Sequence, residues 1–134
     1  MYGVDSFVHP DYRSHGVGGK LMEARFAVAR RRNLRGMLAG SLPIDYYKVA
    51  DRLSIEQYVR EVVAGRRFDT NLSKQLRKGF KVGPVIRNYA ESWGSLNWGV
   101  TILWENPDYR PVRNVWPVRT MPAPQSLSPV RQQA

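Results

Sequence analysis

The sequence predicts an α/β fold, and three observations carry that expectation. A strand-like N-terminal run gives way to a glycine-rich stretch and then to a long amphipathic helical pattern. Ser54 and Gln57 form a capping box at the start of a second helical run. Near the end, "FKVGPVIRNY" and "LNWGVTILWE" are two strand-like runs on either side of "AESWGS", the pattern of an antiparallel hairpin. With 134 residues, 43% of them hydrophobic, the chain can bury one small core.

The elements follow in order. Met1 to Val8, "MYGVDSFV", alternates loosely and is expected to be a strand, closed by Pro10 because proline cannot continue a ladder. From Gly18 to about Asn33 a helix is expected, with Leu21, Ala24 and Val28 on one stripe and Met22, Phe26 and Ala29 beside it. Arg30, Arg31 and Arg32 fall in its last turn, where cations complement the negative end of the helix dipole. Met37 to Leu42 is a short apolar run that reads as a second strand ended by Pro43. The helix opened by Ser54 stops at Gly65, a residue suited to the left-handed C′ position. A shorter helix starts near Asn71, pairs Leu72 with Leu76, and stops at Gly79. Six of the nine prolines fall from Asn106 onward, where periodicity is lost. We place the domain at residues 1–109 and expect 110–134 to be a Pro-rich disordered tail.

Composition narrows the chemistry. There is no cysteine, which excludes disulfides and thiolate metal sites. His9 and His15 are the only histidines and no metal-ligand spacing appears, so no metal is expected. No run reaches the length of a membrane span and no signal-peptide core is present, so no membrane contact and a cytoplasmic location are expected. The net charge of +10 favours a polyanionic partner: nucleic acid, an acidic membrane or a phosphate-rich cofactor.

The stretch "YRSHGVGGK", Tyr12 to Lys20, places three glycines at the mouth of the first helix. The first amides of a helix lack intrahelical partners and their dipoles add to a positive end. Glycine lets an anion approach that backbone without meeting a Cβ. A plain tight turn is the alternative, but Arg13 and Lys20 on either side favour phosphate. A Walker A loop is excluded, because Ser14 stands at its first glycine and Leu21 follows Lys20. The dinucleotide fingerprint is excluded too, since Leu21 stands at its third glycine and no acidic residue follows at the ribose distance.

The pattern that fits is Arg-x-x-Gly-x-Gly at Arg13, Gly16 and Gly18, directly after a strand-like run. It resembles motif A of the GCN5-related N-acetyltransferases, the GNAT family. The resemblance extends from Tyr2 to Tyr109. Downstream, "LSKQLRKGFKVGPVIRNY" followed by "WENPDY" is similar to acetyltransferase domains found beside carbon–nitrogen hydrolases in some bacterial proteins. It implies a partial GNAT-like fold: motif A strand, loop and helix, second strand, two helices and C-terminal hairpin, with the family's N-terminal strands missing. It therefore implies the C-terminal part of a longer protein, a part expected to self-associate through its exposed sheet edge when it stands alone. Acetyl-CoA is the implied co-substrate and an unidentified amine the acceptor of its acetyl group. Carried over by position, the pyrophosphate loop is Arg13, Ser14, His15, Gly16, Val17 and Gly18. Gly19 and Lys20 stand at the helix start, and Phe7 and Val8 pair their backbone with the pantetheine arm.

The catalytic residues stay unassigned. Many family members carry a general-acid tyrosine four residues before the Gly-Phe pair, and Gln75 stands there. Tyr46, Tyr47 and Tyr58 are candidate substitutes, with packing or surface roles as the default. Asp45, Asp51, Glu56 and Glu61 are nearby carboxylates that commonly belong to solvated helix faces. Trp93, Trp98 and Trp104 are expected to pack in the hairpin. The rival function is a non-enzymatic basic module that binds nucleic acid or a partner and keeps a vestigial cofactor loop. Nucleic acid is disfavoured, since no RNA-module motif accompanies the charge.

Overall fold

The computed structural model describes residues 1–3 and 6–112. Its strands are β1 (Tyr2–Gly3), β2 (Gly36–Ser41), β3 (Lys81–Ile86) and β4 (Gly99–Glu105), and its helices α1 (Val17–Arg31), α2 (Ile55–Val63) and α3 (Leu72–Arg77). They form one four-stranded sheet in the order β1-β2-β4-β3. β1 runs parallel to β2, and β4 is antiparallel to both β2 and β3. The α/β class and the hairpin expected from the sequence are those observed.

The helices lie on one face of the sheet. Phe26 of α1 stacks on Trp104 of β4 at 4.1 Å between ring centroids and packs against Phe80 at 5.7 Å. Met37, Val100 and Ile102 supply the sheet side of this core, and Tyr58, Val59, Val62 and Leu72 the helix side. The opposite face carries Leu38 and Leu103, directly paired across β2 and β4, and 43% and 39% exposed.

Three sequence expectations are corrected. The first strand does not reach Val8: β1 is two residues long and Phe7 is 84% exposed. The register that pairs Gly3 with Ala39 leaves only Gly40 and Ser41 of β2 beyond it, so a strand that ran on to Val8 would outrun its partner. In α1 the inward residues are Phe26 and Ala29, with Met22 beside them, while Leu21 is 40% exposed. The aromatic contact with Trp104 sets that rotation. Of the hairpin tryptophans, Trp104 is core and Trp98 partly buried, but Trp93 is 75% exposed and lies against Tyr47 at 4.2 Å. Most of the expected tail, 113–134, lies outside the described residues, as does Val4. At its start, the side chain of Asn33 holds the backbone of Arg110 through bonds of 2.7 and 2.8 Å.

The capping box forms as read: Ser54 Oγ accepts from the Gln57 amide and Gln57 Oε1 accepts from the Ser54 amide. Gly65 and Gly79 take φ of +73° and +92° just past their helices.

A buried carboxylate organises the segment after β2. Asp69, with no exposed surface, accepts from the Tyr58 hydroxyl at 2.8 Å, the Asp45 amide at 3.1 Å, and the Asn71 and Leu72 amides at 2.9 and 2.7 Å. Burial, then the bond to Asp69, holds the Tyr58 phenol far above its ordinary pKa. Asp45 repeats the device at the surface, bonding the Thr70 amide at 2.7 Å and Lys48 Nζ at 2.7 Å. Burial works to raise its pKa, but the Lys48 and Thr70 hydrogen bonds prevail and hold it at about 2.

Asp69→Ala should therefore lower the unfolding free energy by about 3 kcal/mol or more in urea titration, with a smaller loss for Asp69→Asn. Asp45 makes the second prediction. Its carboxyl is depressed in the fold, so its stabilisation is present above the ordinary value of 3.8 and is lost as pH falls toward about 2. Asp45→Asn should flatten the decline of the urea midpoint across that window.

Candidate functional site

A cavity of about 1060 Å³ opens between the loop ahead of α1, the end of β2 and the inner side of α3. Its first wall is the glycine-rich loop. Gly16 caps α1 with φ +76°, no side chain caps the helix, and the first intrahelical bond runs from the Lys20 amide to the Gly16 carbonyl at 3.1 Å. The amides of Val17, Gly18 and Gly19 thus precede the helical ladder and open at its positive end. A Cβ placed on Gly16 would meet nothing within 4 Å, and one on Gly18 only the Val8 side chain at 3.9 Å. The backbone there is bare to an approaching anion.

The loop is held by its own polar groups. Arg13 Nε donates to the Val8 carbonyl at 3.1 Å, the Arg13 amide to the Pro10 carbonyl at 3.1 Å, and His15 Nδ1 to the Arg13 carbonyl at 2.7 Å. Arg13 and His15 therefore brace the turn, and Arg13 also charges it. Of the residues anticipated from the sequence, Phe7, Val8, Arg13 and Ser14 line the cavity. So do Gly16, Val17, Gly18 and Gly19, whereas His15 and Lys20 lie outside its lining.

The second wall is α3, which the sequence did not single out for cations. Lys74, Arg77 and Lys78 line the cavity with Gln75. Their i, i+3, i+4 spacing puts them on one helix face, and that was the legible signal. Lys78 Nζ pairs with Glu23 of α1 at 2.9 Å and lies 3.8 Å from where a Cβ of Gly19 would be. Gln75 Oε1 accepts from the buried Ser41 hydroxyl at 2.5 Å. Tyr89, from the loop joining β3 to β4, also reaches the lining and was not anticipated. A Cβ on Gly40 of β2 or on Gly99 of β4 would collide with its ring.

The other candidates are engaged elsewhere. Tyr58 bonds Asp69, and the Tyr46 hydroxyl donates to the Leu53 carbonyl at 2.9 Å. Tyr47 is half of the outer aromatic pair with Trp93. Asp45 serves Thr70 and Lys48, Glu61 pairs with Arg67 at 2.9 Å, and Asp51 with Arg52 at 3.6 Å. Glu56 stands in the first turn of α2. None of these seven lines the cavity. Arg30 pairs with Asp108 at 3.3 Å and lies over the Trp104 ring, so part of the basic run is spent on packing. Among the described residues no group of three His, Asp or Glu is placed to hold a metal, and no helix is long and apolar enough to cross a membrane.

Comparison with known proteins bears on this geometry. Residues 1–48, spanning β1, the loop, α1 and β2, match the model of the acetyltransferase (GNAT) family. An uncharacterised N-acetyltransferase of Bacillus subtilis, YkwB, is 39% identical over 82% of this chain and 49% of its own length. The probable hydrolase YhcX of the same organism is 34% identical over 89% of this chain and 25% of its own. The chain thus spans about half of one curated relative and a quarter of the other. Among solved structures, the GNAT-like decarboxylase GphF, in complex with isobutyryl-CoA, superposes with a TM-score of 0.61 at 28% identity, over 74% of this chain and 52% of that one. The ribosomal-protein-S18-alanine N-acetyltransferase of Escherichia coli shares the fold, with a TM-score of 0.51 at 15% identity over 86% of this chain and 59% of that one.

The Ser41–Gln75 bond makes a prediction of its own. Gln75→Ala leaves a hydroxyl on a residue that is 1% exposed without its acceptor, and should cost roughly 1–3 kcal/mol in chemical denaturation. Gln75→Glu, which keeps an acceptor, should cost less.

Proposed function

The chain belongs to the GCN5-related N-acetyltransferase family, and from that premise we propose that it binds acetyl-CoA and transfers the acetyl group to an amine. One observation carries this best. An uncapped helix N-terminus with bare glycine backbone forms one wall of the cavity, and α3 cations form another. Acetyl-CoA supplies a pyrophosphate, a ribose phosphate, a long apolar arm and a reactive thioester, and the walls match these in kind. The pyrophosphate belongs at the Val17 to Gly19 amides, with Arg13 holding the loop in shape. Lys74 and Lys78 suit the remaining phosphate charge. Phe7 and Val8, which lie outside the β1 ladder, run along the arm.

The expected route is direct attack. A neutral amine adds to the thioester carbonyl, backbone amides polarise the carbonyl oxygen, and the thiolate departs. Proximity in a walled cavity supplies much of the acceleration. The same reading keeps the cytoplasm as the place of action, and the edge strand β1 as a route to self-association.

The likeness to a GNAT-like decarboxylase favours a second reading, in which a carboxylated acyl-CoA is bound and loses carbon dioxide with no amine involved. Mass spectrometry of products separates the two: an acylated amine from acetyl-CoA in one case, a shortened acyl-CoA in the other.

Binding is tested at the loop. Gly16→Asp adds a side chain and a negative charge where the pyrophosphate would sit, and strains a residue whose φ is +76°. Titration calorimetry should show acetyl-CoA bound about tenfold more weakly or worse. Unchanged affinity, with the variant folded, would remove the loop from the binding site.

A further inference from the structure

A second cavity, of about 510 Å³, opens between the end of α2 and another side of α3. Backbone chemistry fixes the chain reversal that forms it. The Gly65 amide donates to the Val62 carbonyl at 3.1 Å and the Arg66 amide to the Glu61 carbonyl at 3.0 Å, with Gly65 at φ +73°. This is the Schellman closure of a helix, and it sets Arg66 at a defined point just past α2. Arg67 and Phe68 follow along the wall, and α3 supplies Leu76 and Arg77.

The lining combines apolar surface with uncompensated charge. Val63 and Phe68 are each 53% exposed here, and Leu76 is half-buried. Arg67 is neutralised by Glu61 at 2.9 Å. Arg66 and Arg77 have no ion-pair partner among the described residues, and no carboxylate lines the cavity. Apolar surface beside unpaired guanidinium groups is complementary to an apolar side chain flanked by carboxylates.

Other occupants match less well. A nucleic-acid strand stacks its bases on open aromatic faces. The one aromatic ring in this lining is Phe68, and the Arg77 guanidinium already lies over it at 5.6 Å from the centroid. A second copy of the chain brings no matching segment, since none of its eleven acidic residues stands within two positions of another.

We propose that this cavity docks an acidic segment of a partner protein, one in which an apolar side chain is flanked by carboxylates. The apolar side chain settles against Val63, Phe68 and Leu76, and the carboxylates pair with Arg66 and Arg77. Arg77 also lines the larger cavity, so the docked segment lies against its rim. The assignment is independent of the acyl-transfer reading above, because it needs neither acetyl-CoA nor an acceptor amine.

The probe is a fluorescein-labelled peptide with one leucine between pairs of glutamates, titrated with the full chain and followed by fluorescence anisotropy. It should bind with a dissociation constant below about 1 mM, and more weakly as salt is raised. Arg66→Glu should weaken binding about fivefold and Val63→Ser about threefold, with thermal melting confirming that both variants are folded. A peptide with serine in place of the leucine should bind about tenfold more weakly. No saturable binding by the wild-type chain would overturn the assignment, as would equal affinity of the wild-type chain and Arg66→Glu, or of the leucine and serine peptides. A labelled oligouridylate that binds more tightly than the peptide, and loses affinity in the same two variants, would overturn it in favour of a nucleic-acid site.

Discussion

A carboxylate buried without partners costs several kcal/mol, and Asp69 is buried completely. The fold meets that cost by directing onto it a phenol from α2, an amide from the segment after β2, and two amides at the start of α3. The consequence runs outward from this point. α3 is only six residues long and would not persist alone. Its N-terminus is pinned by Asp69, and its C-terminal half is thereby turned toward α1, where Lys78 meets Glu23. The cationic wall of the cavity thus depends on a carboxylate that does not itself line the cavity.

What was legible in the sequence was what neighbouring residues settle among themselves. The capping box at Ser54 and Gln57, the stops at Gly65 and Gly79, and the turn between the last two strands are short-range chemistry. The loop from Arg13 to Lys20 was legible for the same reason, being contiguous. That the first strand stops short of Val8 was not, because its reach depends on where β2 ends, far along the chain. The inward face of α1 was not, because Phe26 answers to Trp104, far along the chain. Tyr89 was invisible in the same way: its place is defined by glycines on two other strands. Gln75 was found only through the resemblance, and its bond to Ser41 needed the fold.

The fold narrows the chemistry without choosing it. Relatives and neighbours of this chain carry the names N-acetyltransferase, probable hydrolase and GNAT-like decarboxylase. A strand, a bare helix mouth and a cationic helix face make a cradle, and the side chains set around it decide what happens there. Leu38 and Leu103 expose an apolar patch on the sheet face away from the helices, the face on which Tyr89 also rests.

The contact between Tyr89, Gly40 and Gly99 has a meaning for how such sequences diverge. Three positions on three separate segments share one volume, so none can change freely while the others stay as they are. An alanine at 40 or 99 is tolerated only after position 89 has lost its ring. A large aromatic can return to 89 only where both strands have kept glycine. The three should therefore change together among descendants of this chain, leaving a correlated signature in their sequences with the glycines as its silent partners.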